Sequence, residues 1–178
     1  MIIKFSEMKR TQLIYLLLLI IVHTRIASAQ QLKIELEGDA VFNSSGLLIT
    51  EAGNDFPSSL KSDFPLYLSV KYTDSWQKMN NPNNKWNIQI NKADINWHPD
   101  IILEVRRSGN GYVPGSNSNP NIHDGDIFQD VAGTPVYFFR GRGEIIYIPL
   151  EMQLRDLSVS MGSQTFETKI IFTVYDEW

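Results

Sequence analysis

Residues 146–154 read IYIPLEMQL, and this stretch decides the fold. Its apolar side chains occupy every second position: Ile146, Ile148, Leu150, Met152 and Leu154. Side chains of a β-strand point alternately to its two faces, whereas a helix repeats its apolar positions every three or four residues. The stretch therefore predicts a β-strand with one apolar face packed against a core.

The same alternation recurs along the chain. It predicts further strands at 32–37, 66–72, 86–91, 101–106, 136–139 and 166–174, with a short extra strand at 47–49. Clusters of Gly, Pro, Asn and Asp separate these runs, and such residues favour turns. About seven or eight strands, each with one apolar face, predict an all-β protein, an Ig-like antiparallel β-sandwich of two packed sheets. A single closed sheet is the alternative.

Two segments between the predicted strands have their own interpretation. Residues 140–143 read RGRG, which predicts a hairpin turn between strands at 136–139 and 144–150. Residues 108–130 are polar and rich in Asn, Gly and Ser. Connections longer than about 12–15 residues are usually functional or disordered, so this loop is a candidate functional segment.

The N-terminus has the organisation of a signal peptide. Basic residues between Lys4 and Arg10 precede an unbroken apolar run from Leu13 to Val22, and Ala27-Ser28-Ala29 supplies small residues for cleavage before Gln30. Arg25 ends the apolar run well short of the about 20 residues that a membrane-spanning helix needs. We therefore predict a signal peptide at 1–29, no transmembrane segment in the mature chain, and one secreted β-sandwich domain at 30–178. The periplasm, the cell surface or the extracellular space would be its destination.

Composition excludes several classes of function. The 178-residue chain has 16 Lys and Arg against 20 Asp and Glu. Residues 1–29 contain four of the basic residues and one of the acidic ones, so the mature chain has a formal charge of −7. This acidic balance disfavours nucleic-acid binding. Because cysteine is absent, disulfides, iron–sulfur clusters and Cys-ligated zinc are excluded. An Asn-rich, Cys-free exported chain is typical of a bacterial protein.

Catalytic and metal-binding patterns are weak. Outside the leader the chain has His98 and His123, and neither belongs to a recognisable hydrolase, metalloprotease or phosphate-binding motif. His123, Asp124, Asp126 and Asp130 offer oxygen and nitrogen ligands in the 108–130 loop, but their spacing fails the EF-hand pattern. Such residues are equally common in ordinary turns. We predict no enzymatic activity, no cofactor and no metal site.

The C-terminus resembles a known family. Gly162 precedes a final alternating segment at 166–178, FETKIIFTVYDEW. This ending is similar to the terminal strand of bacterial β-sandwich pilins and spore-coat-U-type secreted proteins. In the pilin family that strand borders a groove which accepts a strand from a partner subunit or chaperone. The resemblance implies an acceptor-edge strand formed by Phe166, Ile170, Phe172, Val174 and Tyr175.

The first strand is the matching candidate for an assembly strand. Leu32, Ile34 and Leu36 alternate with charged residues, as a strand that fills a hydrophobic groove requires. The alternative is an ordinary first strand that pairs within its own sandwich. These residues favour a secreted structural or adhesive surface protein, pilin-like or coat-like, whose partner is itself or a neighbouring surface protein.

Exposed aromatic residues suggest a second function. Trp76 and Trp97 lie near predicted turns, and aromatic rings on a β-sandwich can stack on sugars. Trp86 shares the apolar face of Ile88 and Ile90 and is assigned to the core instead. The alternative function is therefore a carbohydrate-binding module that stacks glycans on Trp76 and Trp97.

Overall fold

The computed structural model describes residues 32–42, 55–73, 84–161 and 165–177 of the chain. The predicted signal peptide, the predicted strand at 47–49 and Trp76 lie outside the described residues. The described residues form ten strands: β1 (Leu32–Glu37), β2 (Ser59–Lys61), β3 (Leu66–Tyr72), β4 (Lys85–Asn96), β5 (Ile102–Arg107), β6 (Ile122–His123), β7 (Gln129–Asp130), β8 (Val136–Arg142), β9 (Ile145–Arg155) and β10 (Glu167–Glu177).

The strands form two antiparallel sheets that pack against each other. The first sheet has the order β1-β3-β9-β5-β7, and β2 also pairs with β9, beyond the end of β3. The second sheet has the order β10-β4-β8-β6. The predicted all-β antiparallel sandwich is confirmed. Every strand predicted within the described residues is present, whereas the short strands β2, β6 and β7 were not predicted.

The core lies between the inward faces of the two sheets. Its largest fully buried side chains are Trp86, Phe138 and Phe139 of the second sheet. The rings of Trp86 and Phe139 meet edge to face, with centroids 6.0 Å apart. Fully burying an aliphatic or aromatic side chain of this kind stabilises a fold by about 1.5–3 kcal/mol. The assignment of Trp86 to the core is confirmed.

β9 departs from the predicted alternation at its first residues. Tyr147 has a φ of 54°, and the register of β9 against β3 shifts between Leu68 and Val70. An extra residue of this kind is a β-bulge, and it reverses the faces of the residues before it. Ile145 is therefore fully buried, while Ile146 is only half-buried. The prediction that Ile146 shares the inward face of the strand is wrong for this reason.

The predicted hairpin at residues 140–143 is also wrong. β8 continues to Arg142 and pairs with β4 and β6, whereas β9 belongs to the other sheet. The segment after Arg142 therefore crosses from one sheet to the other. Gly141 has a packing role: a Cβ atom there would lie 2.5 Å from two ring carbons of Trp86.

The long loop at 108–130 is organised around Arg107, which is only 8% exposed. The Arg107 guanidinium donates from Nε and Nη2 to the carbonyl oxygen of Asp124, at 3.1 and 2.9 Å. Nη1 donates to the Gly109 carbonyl oxygen at 2.9 Å and to Oδ1 of Asn110. Burial lowers the pKa of this guanidinium. Both ends of the loop are thus held by one side chain, and the loop itself contains β6 and β7.

A substitution at Gly141 tests the packing of Trp86. Gly141→Ala should destabilise the protein by about 1–3 kcal/mol, the usual cost of overpacking a core. Gly133→Ala is the matched control, because its added methyl group would lie 3.9 Å from the nearest atom, the Lys92 carbonyl oxygen. Urea denaturation should show a clearly lower midpoint for the first variant only. Equal midpoints for the two variants would contradict the packing role.

Candidate functional site

The two sides of the sandwich have very different edges. β6 and β7 each contain two residues, whereas β1 has six and β10 has eleven. The two long edge strands adjoin, since some of their Cα atoms lie within 8 Å of each other. Very short edge strands are a common protection against unwanted pairing, and long ones offer a template for another chain. The side formed by β1 and β10 is therefore the candidate assembly side.

β10 is the longer of these two edges. Its inward side chains Ile170, Phe172 and Val174 pack partly buried against the core. On its outer face, Ile171 is 41% exposed and Tyr175 is 44% exposed. Among the described residues β10 pairs with β4 alone. Residues 170–175 contain no charge, proline or glycine, which is the composition of segments that readily form intermolecular β-structure.

Phe166 lies outside this strand, although it was predicted to belong to the acceptor edge. It precedes β10, and its ring meets His98 edge to face at 5.8 Å between centroids. The structure thus brings four of the five predicted acceptor residues into one strand and places the fifth beside it.

β1 pairs with β3 of the same chain along its whole length. Leu32 and Ile34 pack against the core, and Leu36 is 47% exposed. This arrangement corresponds to the alternative of an internal first strand. Donation of the strand to a neighbour stays a prediction.

Glu35 anchors β1 to its neighbour. Its carboxylate accepts a hydrogen bond from Nζ of Lys71 at 2.5 Å and lies 2.8 Å from Nζ of Lys33. These hydrogen bonds from Lys33 and Lys71 lower the pKa of Glu35 to about 2. The same hydrogen bond raises the pKa of Lys71. Both shifts show that the folded state favours the ionised pair.

The outer face of the second sheet carries a row of polar and aromatic residues. Tyr175 of β10 lies opposite Asn87 of β4, which lies opposite Arg140 of β8, which lies opposite His123 of β6. Directly opposed residues of antiparallel strands share one face, so these four side chains form one row across the sheet. The row is exposed to solvent on the side away from the core.

Next to this row is a polar cleft of about 170 Å³. It is lined by Lys85, His123, Arg140, Gly141, Arg142 and Glu177. The register places Lys85 between Arg142 and Glu177 on neighbouring strands. Neither the cleft nor its residues were predicted, because the sequence RGRG was interpreted as a turn. The sequence feature that could have indicated the cleft is the pair of arginines, Arg140 and Arg142, on either side of Gly141.

An apolar cleft of about 430 Å³ contains Trp97. Phe42, Leu103, Leu154 and Phe166 also line it. The indole Nε1 of Trp97 donates to the Ile101 carbonyl oxygen at 2.8 Å, and the ring is half-buried. Nζ of Lys92 lies 5.1 Å from the ring centroid. These contacts leave less of the Trp97 ring for a sugar than an open platform would, and its sugar-stacking role stays a prediction.

The polar side chains of the long loop interact with different partners. Asp124 accepts a hydrogen bond from the Tyr137 hydroxyl, Asp130 lies 3.7 Å from Arg155, and His123 bonds to Asn121. Within the described ranges no group of three or more His, Asp or Glu residues is arranged to hold a metal ion. Burial and the hydrogen bond to Asp124 raise the pKa of the Tyr137 hydroxyl.

Comparison with known proteins found no matching family model, no matching curated protein and no matching solved structure. In the part of the chain that the structure describes, no helix has the length and apolar character to cross a membrane.

The ionised Glu35 should make stability depend on pH. Its pKa is lowered from 4.5 to about 2 in the folded protein. The ionised Glu35 therefore contributes to the free energy of unfolding above the unfolded pKa of 4.5. This contribution is lost as the pH falls through the window from 4.5 to about 2. Glu35→Gln should lower the melting temperature at neutral pH and reduce the fall in stability across the window. Glu37→Gln, which removes a carboxylate from the same strand, should keep the wild-type profile; a wild-type profile for Glu35→Gln as well would refute the anchoring role.

Proposed function

We propose that this chain is an exported, non-enzymatic subunit that functions by pairing with a second copy of itself through the free edge of β10. It would be a structural or adhesive surface protein of the pilin-like or coat-like kind. The observation that carries the proposal is the uncharged run at 170–175 along an eleven-residue edge strand. The apolar run and small-residue cleavage pattern at 1–29 support export.

β10 is a better assembly edge than β1 because their exposed faces differ in charge. The outward side chains of β1 include Lys33 and Glu35, which form ion pairs. Charged side chains on an edge strand discourage pairing with another chain. On β10, the three central outward positions Ile171, Thr173 and Tyr175 are uncharged, and the charged residues Lys169 and Glu177 lie on either side of them. A partner strand could therefore pair with the central part of β10 without burying a charge.

Pairing of two β10 strands would also place compatible side chains opposite each other across the new interface. An antiparallel register centred on Thr173 places Ile171 opposite the second copy's Tyr175 and Lys169 opposite the second copy's Glu177. Each relationship occurs twice by symmetry, as expected for an interface around a two-fold axis. Aromatic, β-branched and oppositely charged cross-strand pairs contribute roughly 0.2–1 kcal/mol each. Backbone hydrogen bonds along the edge supply the remaining affinity.

Ile171→Lys tests this interface. Ile171 is partly exposed on the outer face, so the change should leave the fold intact while placing a cation at the centre of the interface. Sedimentation equilibrium should show a concentration-dependent dimer for the wild type and a dissociation constant at least roughly tenfold weaker for the variant, or about 1.4 kcal/mol. Ile127→Lys is the matched control, because Ile127 is 77% exposed in a loop far from β10 along the chain. A wild type that stays monomeric at high concentration would remove the proposal.

Charge reversal tests the register. Lys169→Glu should weaken the dimer, because it would face the second copy's Glu177. Adding Glu177→Lys to the same chain should restore it by reversing both partners. If the double variant dimerises as weakly as the single variant, the two β10 strands pair in another register.

A further inference from the structure

The polar cleft on the outer face of the second sheet has a floor of bare backbone. Gly141 is an inward position of β8, where a Cβ atom would meet the Trp86 ring, so on the outer face it presents only backbone. Arg140 and Arg142 stand on either side of it in β8. A small charged group can therefore approach the strand itself between two guanidinium groups.

The cleft holds two like charges in directly opposed positions. Lys85 lies opposite Arg142 on one neighbouring strand and opposite Glu177 on the other. Like charges facing each other across strands are destabilising. Among the described residues, Lys85 and Arg142 form no ion pair and no side-chain hydrogen bond that would compensate. A bound anion would remove this repulsion.

The acidic groups nearby are already engaged. Glu177, the acidic residue of the cleft lining, accepts a hydrogen bond from Nδ2 of Asn87 at 3.0 Å. Asp124 accepts the Tyr137 hydroxyl at 2.5 Å and lies 3.6 Å from Nε of Arg140. Glu177 keeps its charge, but Lys85, Arg140 and Arg142 outnumber it, so the cleft lining has a local excess of positive charge on an acidic chain.

Exposed aromatic rings lie near the cleft on the outer face of the second sheet. Tyr175 and Tyr137 are each 44% exposed on the same outer face, on either side of β4. Between them, β4 presents the amide of Gln89, whereas the amide of Asn87 bonds to Glu177 and its Oδ1 is buried. Aromatic rings pack against the apolar faces of sugar rings, and amides bond to hydroxyl groups in both directions.

We infer that this face binds an acidic glycan, whose carboxylate or sulfate groups enter the cleft between Lys85, Arg140 and Arg142. Guanidinium groups pair with such anions through two parallel hydrogen bonds. The acidic chain as a whole disfavours a nucleic acid, which needs positive charge along an extended backbone. This site shares Tyr175 and Glu177 with the proposed dimer edge, but its cations Lys85, Arg140 and Arg142 belong to β4 and β8, so either proposal can fail alone.

The test is a titration of the purified protein with oligogalacturonate and with its fully methyl-esterified form, alongside an array of uronate, sialylated and sulfated glycans. Esterification removes the charge and keeps the sugar, so binding should be confined to the free acid. Arg142→Gln and Lys85→Gln should each weaken binding to the best acidic glycan roughly tenfold. Lys33→Gln, the same change on the other sheet, should leave affinity within about twofold.

Any one of three binding results with the glycans, or a fourth with a nucleic acid, would overturn the inference. They are no binding to any acidic glycan, equal binding of the esterified probe, and wild-type affinity in Arg142→Gln. Comparable affinity for a single-stranded oligonucleotide would also overturn it, because the cleft would then be a general polyanion site. The Arg142→Gln variant should dimerise like the wild type in sedimentation equilibrium, and the Ile171→Lys variant should still bind the glycan. These two controls separate the test of glycan binding from the test of assembly.

Discussion

The contact between the Trp86 ring and the backbone of Gly141 is the constraint on which the second sheet depends. The indole is fully buried, donates from Nε1 to the Gly143 carbonyl oxygen at 2.7 Å, and leaves no room for a side chain on β8. This contact fixes β8 against β4 while the chain crosses to the other sheet immediately after Arg142. Because position 141 faces inward, Arg140 and Arg142 on either side of it both face outward. The pairing of β8 with β4 that this contact fixes therefore also positions the two arginines of the polar cleft.

The lengths of the edge strands depend on which loops pack beside the sandwich. Arg107 fastens the 108–130 loop to the sandwich, and this loop supplies the two short edge strands β6 and β7. On the opposite side no comparable loop lies among the described residues, and β10 borders the second sheet over eleven residues. Among the described residues, the sandwich therefore has short, loop-held edge strands on one side and long edge strands on the other. The proposed pairing through β10 would use this asymmetry.

The strands could be predicted from sequence because a buried face repeats every second residue, a purely local pattern. The features that differ from the predicted strands depend on contacts between residues that are distant in sequence. The bulge at Tyr147 is visible only from the register of β9 against β3. The extension of β8 through Arg142 depends on Trp86, a residue more than fifty positions away, so RGRG was predicted to be a turn. Since its pattern is local, β10 could be predicted as a strand, whereas the cleft, assembled from four strands, could not be predicted.

The two proposals reinforce each other through the geometry of the sheet. A dimer centred on Thr173 would join two four-stranded sheets into one, with both outer faces on the same side. A strand spacing of about 4.8 Å and a rise of about 3.4 Å per residue put the two clefts roughly 35 Å apart. An acidic polysaccharide carries charges at every repeat, so one chain could occupy both clefts at once. The second contact would then be intramolecular, and weak individual sites would give firm attachment. Under both proposals, assembly through β10 would thus be a means of binding a repetitive surface polymer that one subunit alone would hold weakly.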